Sequence, residues 1–135
     1  MKIATAAYPM EPLADWDAYA AKLAAWVADA AGQGADLLVF PEYGAMELAT
    51  LAGLDAAADL ERALYAVSDR LDRADALHSD LAGRHGVHIL AASAPCFDAT
   101  LGTRPVNRAR LFAPQGGMGV QDKQIMTRLD RKSVV

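Results

Sequence analysis

Apolar positions along the chain follow two different periods, and these divide it into strands and helices. Residues 3–8, Ile3-Ala4-Thr5-Ala6-Ala7-Tyr8, form a short apolar run stopped by Pro9, which predicts a buried strand. Asp15 then stands where a helix needs an N-cap. Trp16, Tyr19, Leu23, Trp26, Val27 and Ala30 recur every three or four residues after it, on one helix face. Gly32 and Gly34 end that helix. Leu37-Leu38-Val39-Phe40 is apolar without alternation, the pattern of a strand covered on both faces, and Pro41 stops it. Residues 43–58, with breaks at Gly44 and Gly53, read as a loop. A longer helical stripe follows at Leu60, Leu64, Val67, Leu71, Ala74, Leu77 and Leu81, closed by Gly83 and Gly86. Residues 87–94 predict a third strand ending at Pro95. Residues 107–113 predict a fourth, with Ala109, Leu111 and Ala113 facing one way. Its return partner, 118–124, lies across the turn Pro114-Gln115-Gly116-Gly117. The order β-α-β-α-β-β-β joins the first three strands through helices, which predicts an α/β layer with helices packed on a sheet.

Composition narrows the function classes. Of 135 residues, 53% are hydrophobic and 22% charged, a globular rather than disordered balance. Alanine dominates the apolar set and buries little area per residue, so an exposed sheet edge is expected to be poorly compensated. The net charge is −4, and the arginines are scattered, often beside aspartates, as in Asp69-Arg70-Leu71-Asp72-Arg73. That is a solvated helix face with local ion pairs, not a basic stripe, and no nucleic-acid partner is expected. No stretch approaches the roughly 18 apolar residues of a membrane span, so no membrane partner is expected either. Pro9, Glu11 and Pro12 interrupt the N-terminal apolar run too early for a signal peptide. The single cysteine, Cys96, cannot form a disulfide within the chain, and the cytoplasm is the expected compartment.

Few residues could carry chemistry. Glu42 directly follows the apolar strand in Val39-Phe40-Pro41-Glu42-Tyr43, and strand ends of α/β sheets collect functional side chains. A partly desolvated carboxylate there can serve as a general base; the plain alternative is a solvated loop acid. Lys123, at the end of the last strand, can stabilise developing negative charge, or can simply pair with Asp122 on the surface. Tyr43 and Glu47, in the loop after Glu42, are candidates for lining the same pocket, with a helix-surface acid as the plainer reading of Glu47. His78, His85 and His88 are spaced seven and three apart, which fits no ligand pattern on one element, and no metal or other cofactor is expected.

Three segments, in order, resemble the nitrilase superfamily of carbon–nitrogen hydrolases. Lys2-Ile3-Ala4-Thr5-Ala6-Ala7-Tyr8 resembles the family's opening strand. Gly34-Ala35-Asp36-Leu37-Leu38-Val39-Phe40-Pro41-Glu42 resembles its glutamate motif. Asn107-Arg108-Ala109-Arg110-Leu111-Phe112-Ala113-Pro114-Gln115-Gly116, followed by Asp122-Lys123-Gln124, resembles its lysine hairpin. The resemblance runs over residues 1–129, and it implies one half of an α-β-β-α sandwich. It also implies a Glu-Lys-Cys mechanism on an amide, in preference to a nitrile. A cysteine thiolate attacks the substrate carbon, Glu42 is the base, and Lys123 steadies the tetrahedral intermediate. The implied partners are a small-molecule amide or nitrile and, for a full-length form, further copies of itself in a homo-oligomer.

Two features depart from that pattern. The family's cysteine follows its lysine, whereas Cys96-Phe97-Asp98 precedes Lys123 and no cysteine follows it. Cys96 is therefore read as a small buried hydrophobe. The chain is expected to be the N-terminal half of such a hydrolase, inactive alone, or else a truncated, non-catalytic assembly module. Its last six residues, 130–135, Asp-Arg-Lys-Ser-Val-Val, are expected to be a non-native tail of translated sequencing adapter, the alternative being a natural, solvated tail. An uncovered sheet face and edge are expected to make the isolated chain associate.

Overall fold

The computed structural model describes residues 1–125. Its strands are β1 (Ile3–Thr5), β2 (Leu37–Val39), β3 (His88–Leu90), β4 (Ala94–Cys96), β5 (Val106–Phe112) and β6 (Met118–Asp122). Its helices are α1 (Trp16–Gly32), α2 (Leu54–Ala58), α3 (Leu60–Ser68) and α4 (Leu71–His85), with a 3-10 segment at Gly44–Ala52. The first three strands are parallel, with Ile3 opposite Leu37 and Leu37 opposite His88. β5 then runs antiparallel to β3 and β4 on one side and to β6 on the other. The result is a mixed sheet in the order β1, β2, β3/β4, β5, β6.

Local chemistry explains most of the boundaries. The Asp15 side chain accepts the Ala18 N–H at 2.8 Å and starts α1; Asp59 accepts Arg62 N–H at 2.9 Å and starts α3. Gly86, at φ 65°, ends α4 in the left-handed conformation. Residues 43–58, read as a loop, are mostly helical: the 3-10 segment and α2 meet at Gly53, whose φ of 101° breaks them apart. The stripe at 60–81 is two helices rather than one, separated at Asp69-Arg70. The apolar period continues across that break, with Leu64, Val67, Leu71 and Ala74 all buried, so the pattern carries no mark of it. Residues 87–94 likewise divide into β3 and β4. Pro95 lies inside β4 instead of ending a strand; it pairs only with β5, a position where proline's missing donor is tolerated.

The two faces of the sheet differ. Leu38, Ile89 and Phe112 lie side by side at 2% exposure or less, and with Leu23, Val27, Leu71 and Leu81 they form the core beneath the helices. α1 and α4 pack against each other on this face, where the Arg73 guanidinium lies 4.2 Å over the Trp16 ring. On the other face, Val39, Leu90 and Leu111 stand in register and are half-buried to exposed, and Ile3 is 56% exposed. No helix among the described residues covers it. The tail expected at 130–135 lies outside the described residues. No helix among them is long and apolar enough to cross a membrane.

Candidate active site

Glu42 leaves the sheet at the end of β2, and the backbone behind it is tightly turned. Tyr43 has φ 57°, a left-handed conformation that non-glycine residues seldom adopt. Its N–H donates to Ser93 Oγ at 3.0 Å, and the Gly44 N–H donates to the Pro41 carbonyl at 3.2 Å. A Cβ on Gly44 would lie 3.0 Å from Ala92 Cβ and 3.2 Å from Pro41 Cγ, so only glycine lets the turn pack this closely. Such strain next to a candidate base is typical of functional loops.

The other side of the site is the β5–β6 hairpin. Asn107 sits near the start of β5 and is buried. Lys123 follows the end of β6, where its N–H donates to the Asn107 carbonyl at 3.0 Å. The two side chains converge on one atom. Lys123 Nζ donates to Glu42 Oε1 at 2.9 Å, and Asn107 Nδ2 donates to the same oxygen at 3.0 Å. Glu42 and Lys123, 81 residues apart in the chain, thus share a hydrogen-bonded ion pair. Their side chains are 58% and 26% exposed, so the pair contributes less than about 1 kcal/mol to stability. Beside them, on the open sheet face, is a shallow depression of about 390 Å³ lined by Leu90, Ser93, Asn107, Ala109 and Gln121 as well as the pair.

The remaining candidates fall elsewhere. Glu47 is 2% exposed and turns to the helix side, where its carboxylate accepts from the Tyr8 hydroxyl and from Lys22 Nζ at 2.7 Å. The expectation that it lines the pocket with Glu42 is not what the geometry places there: it anchors the 3-10 segment to the N-terminal loop and α1. Burial and the Glu47 carboxylate push the Tyr8 phenol well above its ordinary range. Tyr43 is half-buried and contributes its strained backbone to the turn. Cys96 pairs with Val106, so its side chain shares the helix-side face with Arg108, whose Nη1 lies 3.5 Å from the sulfur. It therefore faces away from Asn107 and the pair, and burial pushes its thiol up, away from the thiolate.

His78 is a core residue. Its ring stacks on Phe112 at 5.4 Å, its Nδ1 lies 2.7 Å from the Ala74 carbonyl, and burial lowers its pKa to about 4. His85 and His88 stand apart from it, at the end of α4 and on β3. No group of three metal-binding side chains occurs among the described residues. A second cavity, about 310 Å³, lies between α1 and the edge strand β1. Its polar groups bond to each other, Lys2 Nζ to the Gln33 carbonyl at 2.7 Å and Gln33 Nε2 to Asp29 at 3.2 Å, and it holds no matched acid and cation aimed at a ligand.

The chain's backbone matches solved structures closely enough to name its fold. A glutamate-to-glutamine mutant of the amidase from Nesterenkonia sp. AN1, showing Michael addition of acrylamide at its active site cysteine, superposes with a TM-score of 0.61 at 20% identity. The match covers 100% of this chain and 49% of that one. The same amidase after His-tag removal gives 0.55 at 23% identity, over 100% and 49% of the two chains. A protein of the CN-hydrolase superfamily from Xanthomonas campestris, with an arsenic adduct in its active site, gives 0.52 at 18%, over 95% and 40%. This chain has the carbon–nitrogen hydrolase fold. It spans about half the length of the structures it matches. No protein-family profile matches the sequence, and no curated protein matches it significantly. The α/β class and the nitrilase-superfamily resemblance of the three motifs therefore hold at the level of fold.

Sequence reasoning assigned no role to two residues of this carbon–nitrogen hydrolase fold that shape the site. Ser93, between two short strands, holds the Tyr43 turn. Asn107 was visible only as part of the hairpin motif; the available signal was a buried-register amide on the same strand face as Ala109 and Leu111.

Proposed function

We propose that Glu42 and Lys123 are the base and the electrostatic stabiliser of an amide-hydrolysing site, and that its thiol nucleophile comes from sequence outside this chain. The observation that carries the reading is the convergence of Lys123 Nζ and Asn107 Nδ2 on Glu42 Oε1 beside an open depression. With Oε1 held by two donors, Oε2 is the oxygen left to take a proton. In the reaction, Glu42 accepts the thiol proton as the sulfur bonds to the amide carbon. The carbonyl oxygen, now an oxyanion, is met by the Lys123 ammonium. The C–N bond breaks as Glu42 returns its proton to the leaving nitrogen, leaving a thioester. Water, deprotonated by Glu42, then attacks the thioester and releases the acid and the thiol. A small amide is the preferred substrate, since variants of the matched Nesterenkonia amidase carry acrylamide or the acetamide moiety of fluoroacetamide at the active site cysteine. Tyr43 would stand beside the base as a wall.

The test is ammonia release from acrylamide and propionamide by a polypeptide that continues this chain through a cysteine-bearing second half. Glu42→Gln and Lys123→Ala are each expected to lower kcat by about 10²–10³-fold with circular dichroism unchanged. The 135-residue chain alone is expected to release no ammonia. Near-normal turnover in either variant would overturn the assignment. The uncovered sheet face favours a second reading, a non-catalytic module that pairs with another chain; it predicts no amide hydrolysis by any continuation of the chain.

A further inference from the structure

Asn107 occupies a position that packing alone does not explain. It is 5% exposed, yet its Oδ1 has no hydrogen-bond partner among the described residues. A buried amide with an unsatisfied acceptor costs stability, and an apolar residue of similar size would avoid that cost. The amide orientation is fixed by charge. With Nδ2 toward Glu42 it donates to a carboxylate oxygen at 3.0 Å; turned over, it would set oxygen against oxygen. The same residue's carbonyl accepts the Lys123 N–H at 3.0 Å. One residue therefore holds the side chain of Glu42 and the backbone of Lys123.

We infer that Asn107 is the positioning residue of this site, keeping Glu42 aimed when Lys123 leaves it for the substrate. The inference rests on the amidase reading above. In the resting site the ammonium holds Glu42 Oε1. When an oxyanion forms, the ammonium must turn toward it, and a glutamate whose side chain is 58% exposed would otherwise be free to change rotamer. The Asn107 N–H stays on Oε1 through that exchange and leaves Oε2 directed at the proton it must carry. Asn107 itself touches neither the substrate carbon nor the nucleophile.

Three substitutions and one spectroscopic measurement test this. In the continued polypeptide, Asn107→Leu fills the same space without the donor. It is expected to keep or raise the melting temperature while lowering kcat about 10- to 100-fold, with KM changed less than about threefold. Asn107→Ala is expected to lower kcat similarly. Asn107→Asp sets a like charge against Glu42, and the acid limb of kcat/KM should move to higher pH by about one unit or more. In the 135-residue chain, where no turnover enters, one Asn107 side-chain amide proton is expected to resonate downfield and to move upfield in Glu42→Ala. Asn107→Leu keeping kcat within twofold, or an Asn107 amide signal unmoved by Glu42→Ala, overturns the inference even if Glu42→Gln is inactive. Full activity in Glu42→Gln instead overturns the amidase reading and the inference together.

Discussion

His78 should make this fold acid-labile, and the structure sets the size of the effect. The ring lies wholly among Phe40, Phe112 and the backbone of α4, and burial lowers its pKa from 6.5 to about 4. Unfolding returns it to water, where it binds a proton below pH 6.5. Between pH 6.5 and 4 the unfolded chain therefore holds more protons than the folded one, and stability falls as pH falls. The full contribution is present above pH 6.5 and is lost progressively down to about pH 4. At 1.36 kcal/mol per unit over about 2.5 units, the loss is on the order of 3 kcal/mol. Asp75, on the same helix, acts in the opposite direction. Burial raises its carboxyl pKa despite the Arg110 guanidinium 2.7 Å away, so its folded form takes up a proton first and gains relative stability on acidification. A comparison of variants separates the two. His78→Phe keeps the aromatic stack but cannot titrate. Urea unfolding at pH 7.5, 6, 5 and 4.5 should show wild-type stability falling below that of His78→Phe by a margin that widens toward acid pH. Protein concentration is held equal, so self-association cancels in the difference. Parallel pH dependences for the two proteins would refute the reasoning.

Two further substitutions probe the loop that carries Glu42. Lys22→Met removes the cation 2.7 Å from the buried Glu47 carboxylate and should destabilise the chain by about 3 kcal/mol, read as a urea midpoint shift; the double variant Lys22→Met with Glu47→Gln should recover much of it. Gly44→Ala drives a methyl against Ala92 and Pro41 and should cost about 1–3 kcal/mol, while displacing Glu42 enough to lower turnover in the continued polypeptide; unchanged stability and turnover would show that the turn has slack.

The parts of the fold legible in the sequence were those with a local chemical mark. α1 has a capping aspartate and an unbroken apolar stripe, β2 is followed within two residues by Pro41, and the β5–β6 hairpin carries a turn whose Gly116 has φ 100°. The parts that escaped are decided by tertiary bonds. The break between α3 and α4 leaves the apolar period intact and is accompanied by Ser68 Oγ accepting the Phe97 N–H at 2.9 Å, a partner 29 residues away. The interruption between β3 and β4 spans Ala91, Ala92 and Ser93, where Ser93 turns to the Tyr43 N–H and the Ala92 carbonyl accepts from Arg110 at 3.1 Å. At the site, the expectation that Glu42 and Lys123 act together followed from the family resemblance of their motifs, and the fold brings the two within 2.9 Å. The turning of Glu47 toward Tyr8 and Lys22 did not, because a single residue's rotation about a 3-10 segment decides which side of the sheet it meets.

The exposure of the Glu42–Lys123 pair explains why the uncovered face matters to its chemistry. The pair rises from the end of the same face that carries Val39, Leu90 and Leu111, and its hydrogen bonds are now made in contact with water. There the attraction is screened and worth little. A second layer laid on those apolar rows would bury them and remove water from the depression at their end. The same charges at the same distances would then interact severalfold more strongly, since the energy scales inversely with the local dielectric. The apolar rows and the charged pair are thus coupled. The surface left uncovered in this layer is also the surface whose covering would turn a weak surface ion pair into a carboxylate held beside a cation in a dry pocket.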